Sequence, residues 1–243
     1  MKRKVAVFYR ILVIFIVTLL TGTCVSAQMK STAVPVSNSK PAMKESTGDQ
    51  SDFWNVIYNR RSVRKFKADA IPEADIRKII DAARMSPTSG NQQPWKFLVI
   101  RDKKLILQMM EACIKESLTR YDANPNANET RDQFKDRISR TLASGYFSAP
   151  VFIVVLTDNN STYPDYNHWD GPLAAGYLML AARALGYGTV FITDAIPENV
   201  TKEVLQIPDT YTRVCITPLG IPVEWPATPP KKDLKDMIFF DKL

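Results

Sequence analysis

The chain has 243 residues, 45% of them hydrophobic, which is enough apolar material for one full-sized domain and excludes a disordered or fibrous protein. Its formal charge of +7 overstates its basicity, because Lys2, Arg3, Lys4 and Arg10 carry four of the 32 basic residues and the first 27 residues carry none of the 25 acidic ones, leaving +3 for the rest. A nucleic-acid partner wants a clustered basic face, and the one short cluster is Arg60 to Lys67; a zinc site wants ligands, and the chain has one histidine, no CxxC and no HExxH.

Residues 1–27 read as a targeting segment: basic residues precede the apolar run Ile11 to Leu20, and Val25-Ser26-Ala27 offers a small-residue cleavage site. The run is far shorter than the roughly 20 apolar residues of a membrane span. Export, to the periplasm, is the expectation. A membrane tether through an uncleaved leader, or one lipidated at Cys24, is the alternative, although Thr21-Gly22-Thr23 matches a lipoprotein signal poorly. Residues 28–50 are rich in Ser, Thr, Pro, Lys and Asn without apolar periodicity, the composition of a flexible linker. The folded domain is expected over 51–243.

Within it, Phe53 to Tyr58 predicts a short helical turn. Pro72-Glu73 opens a helix with Ile76, Ile79, Ile80 and Ala83 on one face, ended by Pro87 and Gly90. Trp95 to Ile100 reads as a strand. A long helix to about Tyr121 follows, with Leu105, Met109, Ala112 and Cys113 at helical spacing, then a polar break at Asn124 to Asn128 and a helix marked by Phe134, Ile138 and Leu142. Pro150 to Leu156 has the unbroken apolarity of a buried central strand. Leu173 to Leu185 predicts a core or interface helix stopped by Gly186, followed by a strand at Thr189 to Thr193, a helix from Pro197 to about Leu205 and a last strand at Tyr211 to Leu219. The Pro-rich stretch from Gly220 to Pro230 must lie extended. Strands mixed with long helices in one unit give an α+β (α/β) class, a central sheet flanked by helices. Cys113 and Cys215 either pair in an oxidising compartment or, as is commoner, are ordinary buried thiols.

No GxGxxG follows a strand and no GxxxxGK[ST] occurs, so a bound phosphate would have to be held by side chains. Arg60-Arg61-Ser62-Val63-Arg64 supplies forked, permanently charged donors and a hydroxyl, though alone it reads as a solvated basic turn. The loop Ser86-Pro87-Thr88-Ser89-Gly90-Asn91-Gln92-Gln93-Pro94-Trp95 is dense in hydroxyl and amide groups; these suit either turn capping or the edge of a planar heterocycle. His168 lies near Asp170, but without a GxSxG nucleophile elbow it reads as structural.

The ordered pair is more specific than either half. A basic RRSxR, an amphipathic helix and then SPTSGNQQPW feeding a strand resembles the nitroreductase family, as does Ala181 to Thr189, and the similarity runs from about Phe53 to the C-terminus. The resemblance implies a central mixed sheet and a homodimer with FMN between intertwined subunits, each C-terminal extension swapped onto its partner. It implies that Arg60, Arg61, Ser62 and Arg64 hold the flavin phosphate and ribityl chain with Lys231 or Lys232, and that Pro87, Thr88, Ser89, Asn91 and Gln93 approach from the partner subunit. Ile192 and Thr193 would lie near the isoalloxazine. The family often has an arginine after the tail lysines, where Asp233 stands here.

The implied chemistry is ping-pong electron transfer from NADH, NADPH or another reductant to a quinone, nitroaromatic or similar small acceptor, with no amino-acid nucleophile. Nicotinamide donors are mainly cytoplasmic, so an exported enzyme would need a different electron source. The competing readings are a same-fold flavin enzyme with other chemistry such as dehalogenation, a non-catalytic binding protein, and a nucleic-acid module using Arg60 to Lys67.

Overall fold

The computed structural model describes residues 52–125 and 128–243; the leader 1–27 and the linker 28–50 lie outside the described residues. In chain order the elements are α1 (Phe53–Asn59), α2 (Glu73–Ala83), β1 (Trp95–Ile100), α3 (Lys103–Ala123), α4 (Arg131–Ser144), β2 (Val151–Asp158), α5 (Asn167–Ala184), α6 (Glu198–Leu205) and β3 (Tyr211–Leu219). Their ends carry the expected local chemistry. The Asp52 carboxylate accepts from Asn55 N at the start of α1, Asp102 does the same for Lys104 N in α3, and Thr130 and Gln133 form a reciprocal capping box on α4.

The three strands form an antiparallel sheet in the order β1-β2-β3. β2 is buried from Val151 to Thr157, and alternation along it divides the interior into two cores. Phe152, Val154 and Leu156 face α3, α4 and α6. Val151, Ile153 and Val155 face α2 and α5. The result is a three-layer α/β/α sandwich, with each buried aliphatic side chain contributing about 1.5–3 kcal/mol of transfer free energy as an upper bound. No helix among the described residues is long and apolar enough to cross a membrane.

Two elements differ from their sequence expectation. The core helix begins at Asn167, not Leu173, because Pro172 is carried inside it; the missing N–H costs only the bond to the His168 carbonyl. Thr189 to Thr193 is not a strand. Together with Gly188 it divides its pairing among three neighbours, in a parallel bridge from Ser62 to Thr189 and antiparallel bridges from Gly188 to Gly220 and Ile192 to Ile216, so it crosses the sheet edge instead of running along it. The named strands are all antiparallel, and the Ser62 bridge supplies the parallel component. The tail after Gly220 is extended, as its prolines require, apart from a short 3-10 turn at Leu234–Asp236.

Cys113 belongs to one core and Cys215 to the other, so the sheet stands between two free, buried thiols. Burial pushes each thiol up to about 12. Both are therefore expected to resist an aromatic disulfide reagent in the folded protein at pH 8, and both to react at once in denaturant. Rapid labelling of either in the native state would refute their placement.

Candidate functional site

The basic cluster follows α1 on extended backbone. Val63 N donates to Thr189 O at 3.0 Å, Lys67 N to Ile221 O at 2.8 Å and Val223 N to Lys65 O at 3.2 Å, so the segment is clamped between the 188–190 crossing and the start of the tail. Extended chain alternates its side chains. Arg61 and Val63 turn inward, and Arg60, Ser62 and Arg64 occupy the opposite face. Arg61 Nη1 donates to the carbonyls of Tyr58 (2.7 Å) and Arg60 (2.8 Å), capping α1, while Arg60 has no side-chain partner among the described residues. Of the four predicted residues here, three thus share a face and Arg61 is largely committed to the fold. Beside it lies Arg183, in the last turn of α5, stacked 3.9 Å over the Trp225 ring. Burial first, and then the neighbouring Arg61 charge, lowers the Arg183 pKa. The buried Nε atoms of Arg61 and Arg183 and the Arg183 Nη1 find no hydrogen-bond partner among the described residues.

The polar loop is organised by α5 from its other end. Asp170, 3% exposed, accepts from Ser89 N (3.1 Å) and from Gln92 Nε2 (2.7 Å). Gln92 also holds Tyr163 at both backbone atoms, accepting from its N–H at 2.7 Å and donating to its C=O at 3.0 Å. Asn167 ties the same corner to Asp158 O at 2.9 Å. This frame keeps Gly90, Asn91 and Gln93 at positive φ (56°, 54° and 51°), and a Cβ on Gly90 would lie 2.5 Å from the Tyr163 ring. Thr88 Oγ1 accepts from Gln93 N, and exposed Asn91 and Gln93 bond to each other at 3.2 Å. The Ser86 hydroxyl is buried without a partner among the described residues. Sequence reasoning missed Gln92, Asn167 and Tyr163, and weighed Asp170 only as a neighbour of His168, whose side chain is exposed.

Ile192 is buried and bridged to Ile216, with Thr193 exposed just after it. Lys231 and Lys232 lie in the exposed tail beyond Trp225, and Asp233, where an arginine was expected, accepts from Lys235 N to start the Leu234–Asp236 turn.

Residues 57–221 match the family model described as the nitroreductase family. The chain belongs to the nitroreductase family. A protein of Archaeoglobus fulgidus provisionally named NADH dehydrogenase/NAD(P)H nitroreductase is 34% identical over 69% of this chain and 83% of its own length. An iodotyrosine deiodinase of Thermotoga neapolitana is 28% identical over 70% of this chain and 88% of its length. The solved structure of a nitroreductase with bound FMN from Desulfitobacterium hafniense covers 78% of this chain and 98% of its own, with a TM-score of 0.58 at 24% identity, a likeness of fold.

In this nitroreductase-family fold, the two polar segments stand at opposite ends of one helix. Asp170 and Arg183 are 13 residues apart in α5, about 20 Å at 1.5 Å per residue. No hydrogen bond joins the loop to the basic segment among the described residues, so the fold holds two separate polar clusters. The donor set suits a phosphorylated planar heterocycle: at one end the Arg60 guanidinium, without a side-chain partner among the described residues, shares a face with the Ser62 hydroxyl and exposed Arg64, and at the other end stand amides and hydroxyls. Among the described residues no group of three or more His, Cys, Asp or Glu side chains is arranged to hold a metal ion.

Proposed function

We infer that this chain is an exported FMN-dependent oxidoreductase whose two half-sites are joined across a homodimer. The observation that carries this reading is their placement at opposite ends of α5. Along the outer face of that helix Tyr166, Trp169, Leu173 and Tyr177 recur at helical spacing and remain exposed, Leu173 at 44% and Tyr177 at 41%. Exposed Phe53, Trp54, Ile57 and Tyr58 of the adjoining α1 extend the apolar face. Two copies packed antiparallel over this stripe about a twofold axis set the loop end of one α5 against the basic end of the other. The exposed apolar tail, with Leu234, Met237, Ile238 and Phe239, would then lie on the partner.

FMN, when bound, supplies the electron-transfer chemistry. Arg60, Ser62 and Arg64 on their shared face would hold its phosphate, with Lys231 or Lys232 reaching from the tail. Thr88, Ser89, Asn91 and Gln93 would orient its ring edge from the other subunit, and Pro87, Ile192 and Thr193 would wall it off from water. The exposed ring face would accept NADH, NADPH or a reductant of the exported compartment, in alternation with a quinone or nitroaromatic acceptor. A second reading, reductive dehalogenation of an aromatic substrate, is favoured by the deiodinase relative. Turnover of menadione and nitrofurazone against release of iodide from an iodophenol separates the two.

The test is the absorbance spectrum of residues 28–243 with mass analysis of what heat releases, together with sedimentation. About one FMN per chain in a dimer is expected. The double substitution Leu173→Asp, Tyr177→Asp should yield colourless monomers, because each half-site alone lacks its complement. A flavin-loaded monomer would sink the composite site, and a colourless wild-type dimer that takes up no added FMN would sink the cofactor.

A further inference from the structure

Arg213 stands at an irregularity in the sheet. The register between β2 and β3 shifts between Val155 and Leu156, so that Val155 pairs with Cys215 and Leu156 with Arg213, leaving Val214 as the extra residue of a bulge. Bulges re-aim side chains. Here the half-buried Arg213 guanidinium reaches the crossing segment that follows Ile192: Nη1 donates to Ile196 O at 2.7 Å and to Thr201 Oγ1 at 3.3 Å, and Nη2 donates to Thr193 O. Asp194 and Glu198 are near enough to be felt electrostatically, but neither forms an ion pair with it among the described residues. The cation is spent on two main-chain carbonyls and a threonine hydroxyl. Upstream, Ile192 exchanges both backbone bonds with Ile216, at 3.1 and 3.0 Å. The chain is therefore fixed at Ile192, Thr193 and Ile196, with Arg213 providing two of the three anchors.

We propose that Arg213 is a positioning residue that sets the Ile192–Thr193 edge against the ring of the bound flavin, and through that edge adjusts how tightly the flavin is held and how readily it is reduced. The inference rests on the flavin reading above. Its physical basis is twofold. The clamp removes the freedom of the Thr193 peptide, so that less ordering remains to be done when a ring is bound against it. A cation on the Thr193 carbonyl also polarises that peptide and makes the Asp194 N–H a stronger donor, favouring negative charge on a ring edge nearby. A guanidinium that served only the fold would stabilise the protein without either effect.

The experiment compares the wild-type dimer with Arg213→Gln and Arg213→Lys, reading FMN dissociation by flavin fluorescence, the flavin midpoint potential, and amide exchange over residues 192–196. Arg213→Gln is expected to weaken FMN about tenfold, to move the midpoint potential to more negative values and to speed exchange in that segment, at unchanged dimer mass. Arg213→Lys, which keeps the charge but loses the fork, should restore the potential more fully than the affinity, and it carries the test if the Gln variant does not fold. Faster exchange with unchanged FMN affinity and potential would overturn the proposal while leaving the flavoprotein reading intact. A wild-type protein that binds no FMN would instead overturn the reading on which it rests.

Discussion

Asp170→Ala is expected to cost about 3 kcal/mol of stability and to empty the protein of flavin, although Asp170 itself is buried behind the loop. Its carboxylate accepts two hydrogen bonds, from Ser89 N and Gln92 Nε2, and bonds to a charged group contribute roughly 1.5–3 kcal/mol each. Truncation removes the acceptor of both, leaving the half-buried Ser89 N without a partner and Gln92 Nε2 with only its bonds to Tyr163 O and Asn167 Oδ1. It also removes an acidic side chain from the first turn of α5, where the helix dipole favours it. The loop has little to fall back on, because Asn91 and Gln93 are held at positive φ, each at a cost of order 1–3 kcal/mol that the surrounding bonds must offset. Once Gln92 is released, Tyr163 loses both of its backbone partners in that side chain. Asp170→Asn keeps the shape and one acceptor, so it should lie between. His168→Ala, two residues away on the exposed side, should change little. Urea midpoints and flavin content of the three variants are the measurements, and an Asp170→Ala protein with wild-type values of both would refute the role given to this carboxylate.

Much of the architecture was legible because burial imposes simple periods. The apolar run of β2 can be buried only in the middle of a sheet, and Ile76, Ile79 and Ala83 define one face of α2. The features that escaped depend on contacts remote in sequence. Thr189 to Thr193 has strand composition, but its bridge partners lie at residues 62 and 216, with Gly188 just before it paired to Gly220, and only the tertiary fold divides the stretch among them. The helix expected over Leu173 to Leu185 begins earlier, at Asn167, because α5 accommodates Pro172. In the tandem Gln92-Gln93 the first side chain turns inward to Asp170 and the second faces solvent, a difference set by the positive φ of Gln93 and invisible in two identical letters. The basic cluster shows the converse. Alone it reads as a solvated basic turn, whereas as extended chain it gathers Arg60, Ser62 and Arg64 on one face and separates Arg61. The extended reading follows from the Ser62 and Phe66 bridges.

The largest purely structural effect should come from Gly171, next to Asp170. At this point α5 packs tightly on the sheet: a Cβ would lie 2.3 Å from Val214 Cγ2 and 2.9 Å from Thr157 Cγ2, both far inside van der Waals contact. Val214 is the half-buried bulge residue of β3 and Thr157 is fully buried on β2, so a new Cβ fits only if one of these branched side chains shifts. Gly171→Ala is expected to cost about 1–3 kcal/mol by overpacking, and Gly171→Val more than about 3 kcal/mol, a large fraction of the roughly 5–15 kcal/mol that holds a domain folded. The strain has a named source, which makes it reversible: in Gly171→Ala, Val214→Ala the opposing methyl is gone, and the double variant should recover at least about 1 kcal/mol relative to the sum of the single losses. Gly176 lies five residues further along the same helix with open space where its Cβ would be, so Gly176→Ala should stabilise the folded protomer by roughly 0.5–1 kcal/mol through helix propensity. Opposite signs at two glycines of one helix are hard to produce by propensity alone. Equal effects at both positions in denaturant melts would mean that the helix does not approach the sheet at Gly171, and the positioning of Asp170, one residue earlier, would lose its foundation as well.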